Sequence, residues 1–197
     1  MIHFITPLYR YNNIKIIYST IINQTNDFKW HLIEGSNYVG CDSLSFLDED
    51  NRVIRYKIDT NHIWGHEQRN YFINEINGND NDWCYFLDDD NVVTNDLIDG
   101  ATSNENNQFD VVVFSQKKGL TEMIRLYAHI GSFKLGGVDI GSFIIKYKTI
   151  KKTFIYPINE RNADGHYAEQ IKNLPNININ FCIDKYVRYN SLSLDIN

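Results

Sequence analysis

Residues 85 to 91 read Tyr-Phe-Leu-Asp-Asp-Asp-Asn, a short apolar run that delivers three adjacent carboxylates, Asp88, Asp89 and Asp90. Like charges held side by side repel one another, and a cation relieves that cost. Hard carboxylate oxygens suit Mg²⁺ or Mn²⁺ rather than zinc. Such an ion could bridge a carboxylate to a diphosphate and stabilise a departing nucleoside diphosphate, a Lewis-acid contribution of roughly several kcal/mol. The plain alternative is a solvated acidic turn capping a helix that begins near Thr94. A bare run of three aspartates favours the turn; its position at a strand tip and the company of other segments favour the cation. Arg69, in Glu67-Gln68-Arg69-Asn70, carries a guanidinium suited to a diphosphate, or else to a helix-surface ion pair. Asp139 stands among Gly136, Gly137 and Gly141, where missing side chains let backbone approach a ligand closely. It could equally serve its own turn. Asp164-Gly165-His166 opens a late helix, where an acid is favoured by unpaired N–H groups and an ordinary cap is the simplest role.

These residues need a scaffold, and the hydrophobic pattern supplies one. Ile2 to Ile5 form a short apolar strand, and Ile14, Ile17, Tyr18 and Ile21 recur at helical spacing. Trp30 to Ile33 and Val53 to Ile58 read as strands, Glu67 to Ile76 as a helix with Phe72, Ile73 and Ile76 on one face, and Trp83 to Leu87 as a fourth strand. Beyond it, Val111 to Phe114, Met123 to His129 and Phe143 to Lys148 suggest strands, and Asp164 to Lys172 a helix. Repeated strand-helix order predicts an α/β fold with a mostly parallel central sheet and helices on both faces. Ligands of such sheets bind outside the carboxyl ends of the strands, where the polar residues above lie.

At 197 residues, with 43% hydrophobic and 14% aromatic residues, the chain is expected to be one domain with a sizeable core. A formal charge of -6 without a basic stripe argues against nucleic-acid binding. Cys41, Cys84 and Cys182 lack both zinc spacing and the density of a disulfide scaffold, and read as buried thiols in a reducing compartment. No long apolar run indicates a leader or a membrane span, so a cytoplasmic protein is expected. The abundant asparagine is given no mechanistic weight.

Ile5-Thr6-Pro7 with Tyr9 and Arg10, Trp30 to Glu34, Glu67-Gln68-Arg69-Asn70 and Tyr85 to Asn91 together resemble the GT-A β-1,3-glucuronyltransferases, and more loosely the family-2 GT-A enzymes. Gly137 to Phe143 extends the likeness, which spans most of the chain. The resemblance implies a single GT-A, Rossmann-like domain, with residues 1–91 as the half that binds a nucleotide-sugar, a UDP-sugar above all, and residues 92–197 as the acceptor half. It implies that Thr6, Pro7, Tyr9 and Glu34 hold the uridine, and that Arg69 approaches the diphosphate. Asp88, with Asp89 beside it on the donor side, faces the ribose or sugar, and Asp90 holds Mn²⁺ or Mg²⁺. Asp139 then contacts a glycan or glycoconjugate acceptor, Asp164 is the catalytic base of an inverting transfer, and His166 is an acceptor contact, a metal ligand or a surface histidine.

The chain departs from that pattern at several points. Gly35 replaces an acidic residue, the base is Asp rather than Glu, and the family's C-terminal histidine motif and N-terminal anchor are not recognisable. Two rival readings stand beside it. A nucleotidyltransferase would need a glycine-rich, basic phosphate loop after the first strand, and Thr6 to Asn13 has no glycine. A non-catalytic glycan-binding protein could retain the fold.

Overall fold

A computed structural model describes residues 1–36, 42–60, 64–153 and 162–192 of the chain. Strand β1 (Ile2–Leu8) passes through a 3-10 turn into α1 (Ile14–Ile22), followed by β2 (Phe28–Gly35), β3 (Val53–Ile58), α2 (His66–Glu75) and β4 (Trp83–Phe86). Next come α3 (Asn95–Thr102), β5 (Val111–Lys118) and the short β6 (Ile124–Leu126). The order ends with β7 (Phe143–Lys146), the single turn α4 (Tyr147–Ile150), α5 (Ala163–Lys172) and β8 (Ile179–Tyr189).

The eight strands of the described residues join one sheet. In it β3, β2, β1 and β4 lie side by side and parallel, and β7 runs antiparallel between β4 and β5. β7 and then β6 occupy one edge of β5, while β8 pairs parallel along the other. Parallel neighbours require crossovers, and α1 and α2 supply two of them.

Because strand side chains alternate between faces, each strand feeds two cores. Phe4, Trp30, Tyr85, Val112 and Phe114 meet Ile14, Ile17 and Ile21 of α1 and Leu97 of α3 on one face. Ile5, Ile33, Phe86 and Val113 meet Phe72 of α2 and Tyr167 and Ile171 of α5 on the other. Burying each such Ile or Phe fully stabilises the fold by about 1.5–3 kcal/mol. The helical spacing at residues 14, 17 and 21 therefore marks the buried face; Tyr18 stays partly exposed and stacks on Trp30 at 6.2 Å between ring centroids.

Polar residues interrupt the second core. His3 of β1 and His31 of β2 are buried, hydrogen-bonded to each other at 2.9 Å, with Asp82 at 3.2 Å from His3 and the Tyr56 hydroxyl at 3.2 Å from His31. Burial, helped by the neighbouring His3, pushes His31 down to about 3, so at neutral pH this ring is uncharged and the chain of contacts carries no unpaired buried cation.

Two expectations require correction, and one strand was not foreseen. The strand expected over Met123 to His129 is confined to Ile124–Leu126, because the register shifts at Gln116/Lys117 and the main-chain N–H of Ala128 turns to the Ser115 hydroxyl. The strand expected to reach Lys148 stops at Lys146, where the N–H groups of Tyr147 and Lys148 bond to the carbonyls of Asp82 and Asp80 and roll the chain into α4. β8 has no counterpart in the sequence reading: Cys182 pairs with Phe114 and Tyr186 with Ser115, so Ile183, Asp184 and Lys185 bulge out and break its alternation. Cys84 is a buried free thiol and Cys182 a partly buried one; Cys41 lies outside the described residues. Among the described residues no helix is long and apolar enough to cross a membrane.

Candidate active site

The carboxyl ends of β1 and β4 open onto a cleft of about 390 Å³, with the three aspartates as its floor. Their positions differ in kind. The Asp89 carboxylate accepts the main-chain N–H groups of Tyr9 and Arg10, each at 2.6 Å, and the Arg10 Nη1 at 2.5 Å. Its own carbonyl accepts from the Asn13 side chain at 2.8 Å. Asp89 thus ties the loop after β1 to the tip of β4. Asp88 accepts from Arg69 Nη2 at 2.5 Å, while Arg69 Nη1 donates to the Trp64 carbonyl at 2.9 Å. Among the described side chains, the Asp90 carboxylate has a looser approach by Arg10, at 3.4 Å. Burial, with Asp88, Asp89 and Asp139 nearby, pushes its carboxyl up to about 6.

The second half of the chain closes the cleft with two more acids. Asp139 accepts from the Gly141 N–H at 3.0 Å, Gln116 Nε2 at 3.3 Å and Arg125 Nη1 at 3.1 Å. It therefore serves its own turn and still faces the cleft. Asp164 sits in the first turn of α5, one residue beyond Ala163, so the cap position belongs to Asn162 and not to Asp164. Its carboxylate accepts from the Ile140 N–H; burial, with Asp139 and Asp88 close by, raises it to about 7 even though the Arg69 charge holds it down. A carboxylate titrating near neutrality is a stronger base than an ordinary one and is still substantially ionised there.

The end of β8 forms a further wall. The Asn190 N–H donates to Asn91 Oδ1 at 2.6 Å and the Leu192 N–H to the Asp90 carbonyl at 2.9 Å. Tyr189, which lines the cleft, stacks beneath the Arg125 guanidinium at 3.7 Å.

Of the residues singled out from sequence, Pro7, Tyr9, Arg69, Asp88, Asp89, Asp90, Asp139 and Asp164 all line this cleft. Thr6, Glu34 and His166 do not. Thr6 is buried, its hydroxyl accepting from the Trp30 indole at 2.9 Å. Glu34, at the end of β2, is held by Arg55 at 2.9 Å and the Tyr11 hydroxyl at 3.3 Å. His166 is half-buried on α5. Sequence reasoning missed Arg10 as a site residue, although it stood within a quoted segment, and missed Trp64, His66, Arg125, Tyr189 and Asn190 altogether. A guanidinium two residues beyond a strand end was a usable signal for Arg10; none distinguished the others.

Two glycines let the walls approach. Gly65, at φ +73°, precedes α2 and donates its N–H to the Tyr9 hydroxyl at 2.9 Å; a Cβ there would lie 2.7 Å from Pro7. A Cβ on Gly165 would lie 2.5 Å from the Leu135 Cα. Gly165→Ala is therefore expected to push the 132–137 loop off α5 beside Asp164 and to destabilise the protein by about 1–3 kcal/mol, the usual cost of overpacking. Chemical denaturation checks it; a variant within 0.5 kcal/mol of the parent would show that the loop yields freely.

A metal fits this chemistry in part. Among the described residues no three His, Cys, Asp or Glu side chains are grouped to hold an ion by themselves. Yet Asp88, Asp89, Asp90, Asp139 and Asp164 gather in one cleft, where among the described residues Arg10 pairs with Asp89, Arg69 with Asp88 and Arg125 with Asp139. Mg²⁺ commonly takes one or two carboxylates and completes its shell with substrate phosphate and water, and Asp90 is the acid least committed to protein partners.

No protein-family model matches the chain, and no curated protein matches it in sequence. Its shape is matched by solved structures. Residues 1–349 of S. aureus TarS superpose with a TM-score of 0.69 at 15% identity, over 94% of this chain and 59% of that one. A mannosyltransferase from Pyrobaculum calidifontis in complex with GDP-mannose and Mn²⁺ gives 0.66 at 11% identity, over 95% and 56%. An inositol-1-phosphate CTP transferase from T. maritima gives 0.54 at 10% identity, over 95% and 84%. The chain has the mixed α/β, Rossmann-like fold of the GT-A type. It spans less than two thirds of the length of TarS 1–349 and of the mannosyltransferase.

Proposed function

We propose that this chain is a metal-dependent, inverting glycosyltransferase of the hexosyltransferase kind, moving a sugar from a nucleotide-sugar, a UDP-sugar by sequence resemblance, to an acceptor hydroxyl on a glycan or glycoconjugate. The observation that carries the reading is the meeting, in one cleft, of an acidic strand tip and a separate carboxylate, Asp164, raised toward neutrality. Asp90 would hold Mn²⁺ or Mg²⁺, which when bound supplies positive charge to the diphosphate. Asp88, fixed by Arg69, faces the sugar and ribose. Pro7 and Tyr9 form the wall toward the uridine, with Thr6 and Glu34 supporting that loop from behind. Asp139 orients the acceptor and His166 supports α5 at its edge, the 92–197 half thus serving the acceptor as the 1–91 half serves the donor. Asp164 takes the proton of the acceptor hydroxyl as its oxygen bonds to the anomeric carbon, and the bonding pair leaves with UDP.

The T. maritima likeness keeps a nucleotidyltransferase as the second reading. Against it, the Tyr9 and Arg10 amides, which a phosphate loop would offer to its ligand, are already held by Asp89. Two assays separate the readings: release of UDP from UDP-sugars with Mn²⁺ and glycan acceptors, and release of pyrophosphate from nucleoside triphosphates with sugar phosphates. Pyrophosphate without UDP release would overturn the proposal. A thermal-shift screen of nucleotides identifies the donor, since a ligand at a hundred times its dissociation constant stabilises by about 2.7 kcal/mol.

Arg69→Ala is expected to weaken UDP binding by about tenfold or more while leaving uridine binding nearly unchanged, because the lost charge faces phosphate and Asp88 is left without its partner. Calorimetry with both ligands tests it; equal losses would indicate a folding defect.

A further inference from the structure

Arg10 occupies an unusual place. Its guanidinium reaches both members of an adjacent acid pair, Asp89 at 2.5 Å and Asp90 at 3.4 Å, and its side chain is 41% exposed, whereas those two carboxylates are largely buried. The two contacts are not equivalent. Asp89 also accepts two main-chain N–H groups, one of them Arg10's own, so that contact is locked by the backbone. The approach to Asp90 is longer than a hydrogen bond and has no such support. The exposed face of the side chain gives the guanidinium room to withdraw from Asp90 while its backbone stays anchored.

We propose that Arg10 is a resident counter-cation of the acidic tip: in the metal-free protein its guanidinium neutralises Asp90, and a divalent cation binds by displacing it from Asp90 while its contact with Asp89 persists. This rests on the assignment of Asp90 to the metal. Two cations cannot share the small space beside one carboxylate without repulsion, so metal binding and the Arg10–Asp90 contact compete for the same charge. Arg10 is a positioning residue here and takes no part in bond making. Its consequence is that the protein holds metal weakly on its own, and that the added charge of a nucleotide diphosphate favours the exchange.

The test measures Mn²⁺ binding by calorimetry without nucleotide, in the parent protein, Arg10→Ala, and Arg52→Ala, which removes the same charge from the pair with Asp50 outside the cleft. Thermal melts with and without Mn²⁺ accompany it. Arg10→Ala is expected to melt lower without metal, to bind Mn²⁺ about five- to tenfold more tightly, and to gain more stability from it than the parent gains. Arg52→Ala is expected to bind Mn²⁺ as the parent does. If Arg10 serves only to brace the loop, Arg10→Ala binds Mn²⁺ equally or more weakly, and the proposal falls while the metal assignment stands. Equal tightening in Arg52→Ala would reduce the effect to net charge and overturn it as well. Absence of Mn²⁺ binding in every protein would overturn both.

Discussion

Asp164→Asn is expected to lower kcat by about 10²- to 10⁴-fold, the usual contribution of a positioned general base, while UDP affinity in the presence of Mn²⁺ stays within about twofold of the parent. The selectivity follows from position. Asp164 comes from α5, and the Asp88–Arg69 pair and the Asp90 tip come from the other half of the chain. An amide of the same shape can still accept the Ile140 N–H, while it removes the proton acceptor and the charge that Asp164 presents to Arg69. The pH dependence carries the sign of the raised carboxyl: Asp164 must be ionised to act, so kcat/KM should fall as pH drops through its value near 7 and hold above it. That acid limb should vanish in the variant. Near-normal turnover by Asp164→Asn, or a product that keeps the donor's anomeric configuration, would remove Asp164 from the role of base.

Asp90→Ala is expected to abolish the metal-dependent part of UDP binding. Asp90 is the one acid of the tip without a close partner from the described side chains, so its loss leaves Asp89 bound to the Tyr9–Arg10 loop and Asp88 bound to Arg69. The fold should survive, because Arg10 keeps its contact with Asp89 when Asp90 is removed. Titration of UDP with Mn²⁺ and with EDTA decides the matter. Should EDTA and Asp90→Ala both leave UDP affinity unchanged, the acidic tip would have no part in donor binding.

Where local chemistry and hydrophobic period agree, the sequence is informative. β1 to β4 are buried on both faces or amphipathic with few interruptions, and the polar residues that end β1 and β4 converge because parallel strands present their carboxyl ends together. The run from Tyr85 to Asn91 was visible in this way, whereas Asp139 and Asp164 were singled out through the family resemblance and their meeting in one cleft was not foreseen. Long-range partners were not. Nothing in the types of Asp89 and Asp90 reveals that one is consumed by two backbone amides and the other is left almost open; that difference is made by a loop some eighty residues earlier. Arg125 and Tyr189 are invisible for the same reason, each being an ordinary residue until β6 brings Arg125 to Asp139 and β8 brings Tyr189 to Arg125. The three-residue bulge at Ile183 to Lys185 erases the alternation that would have announced β8.

The bonds from Asn190 and Leu192 to the acidic turn join residues about a hundred positions apart. Contacts of that span are expected to form late, since the chain between them must be ordered before they close. During synthesis the parallel block of β1 to β4 can assemble while the remainder is still being made, but the turn that follows β4 stays unbraced until residue 192 has emerged. A fragment ending before β8 is therefore expected to lack both braces of the acidic turn, and metal-dependent UDP binding is expected to appear with C-terminal docking rather than with the first burial of hydrophobic surface.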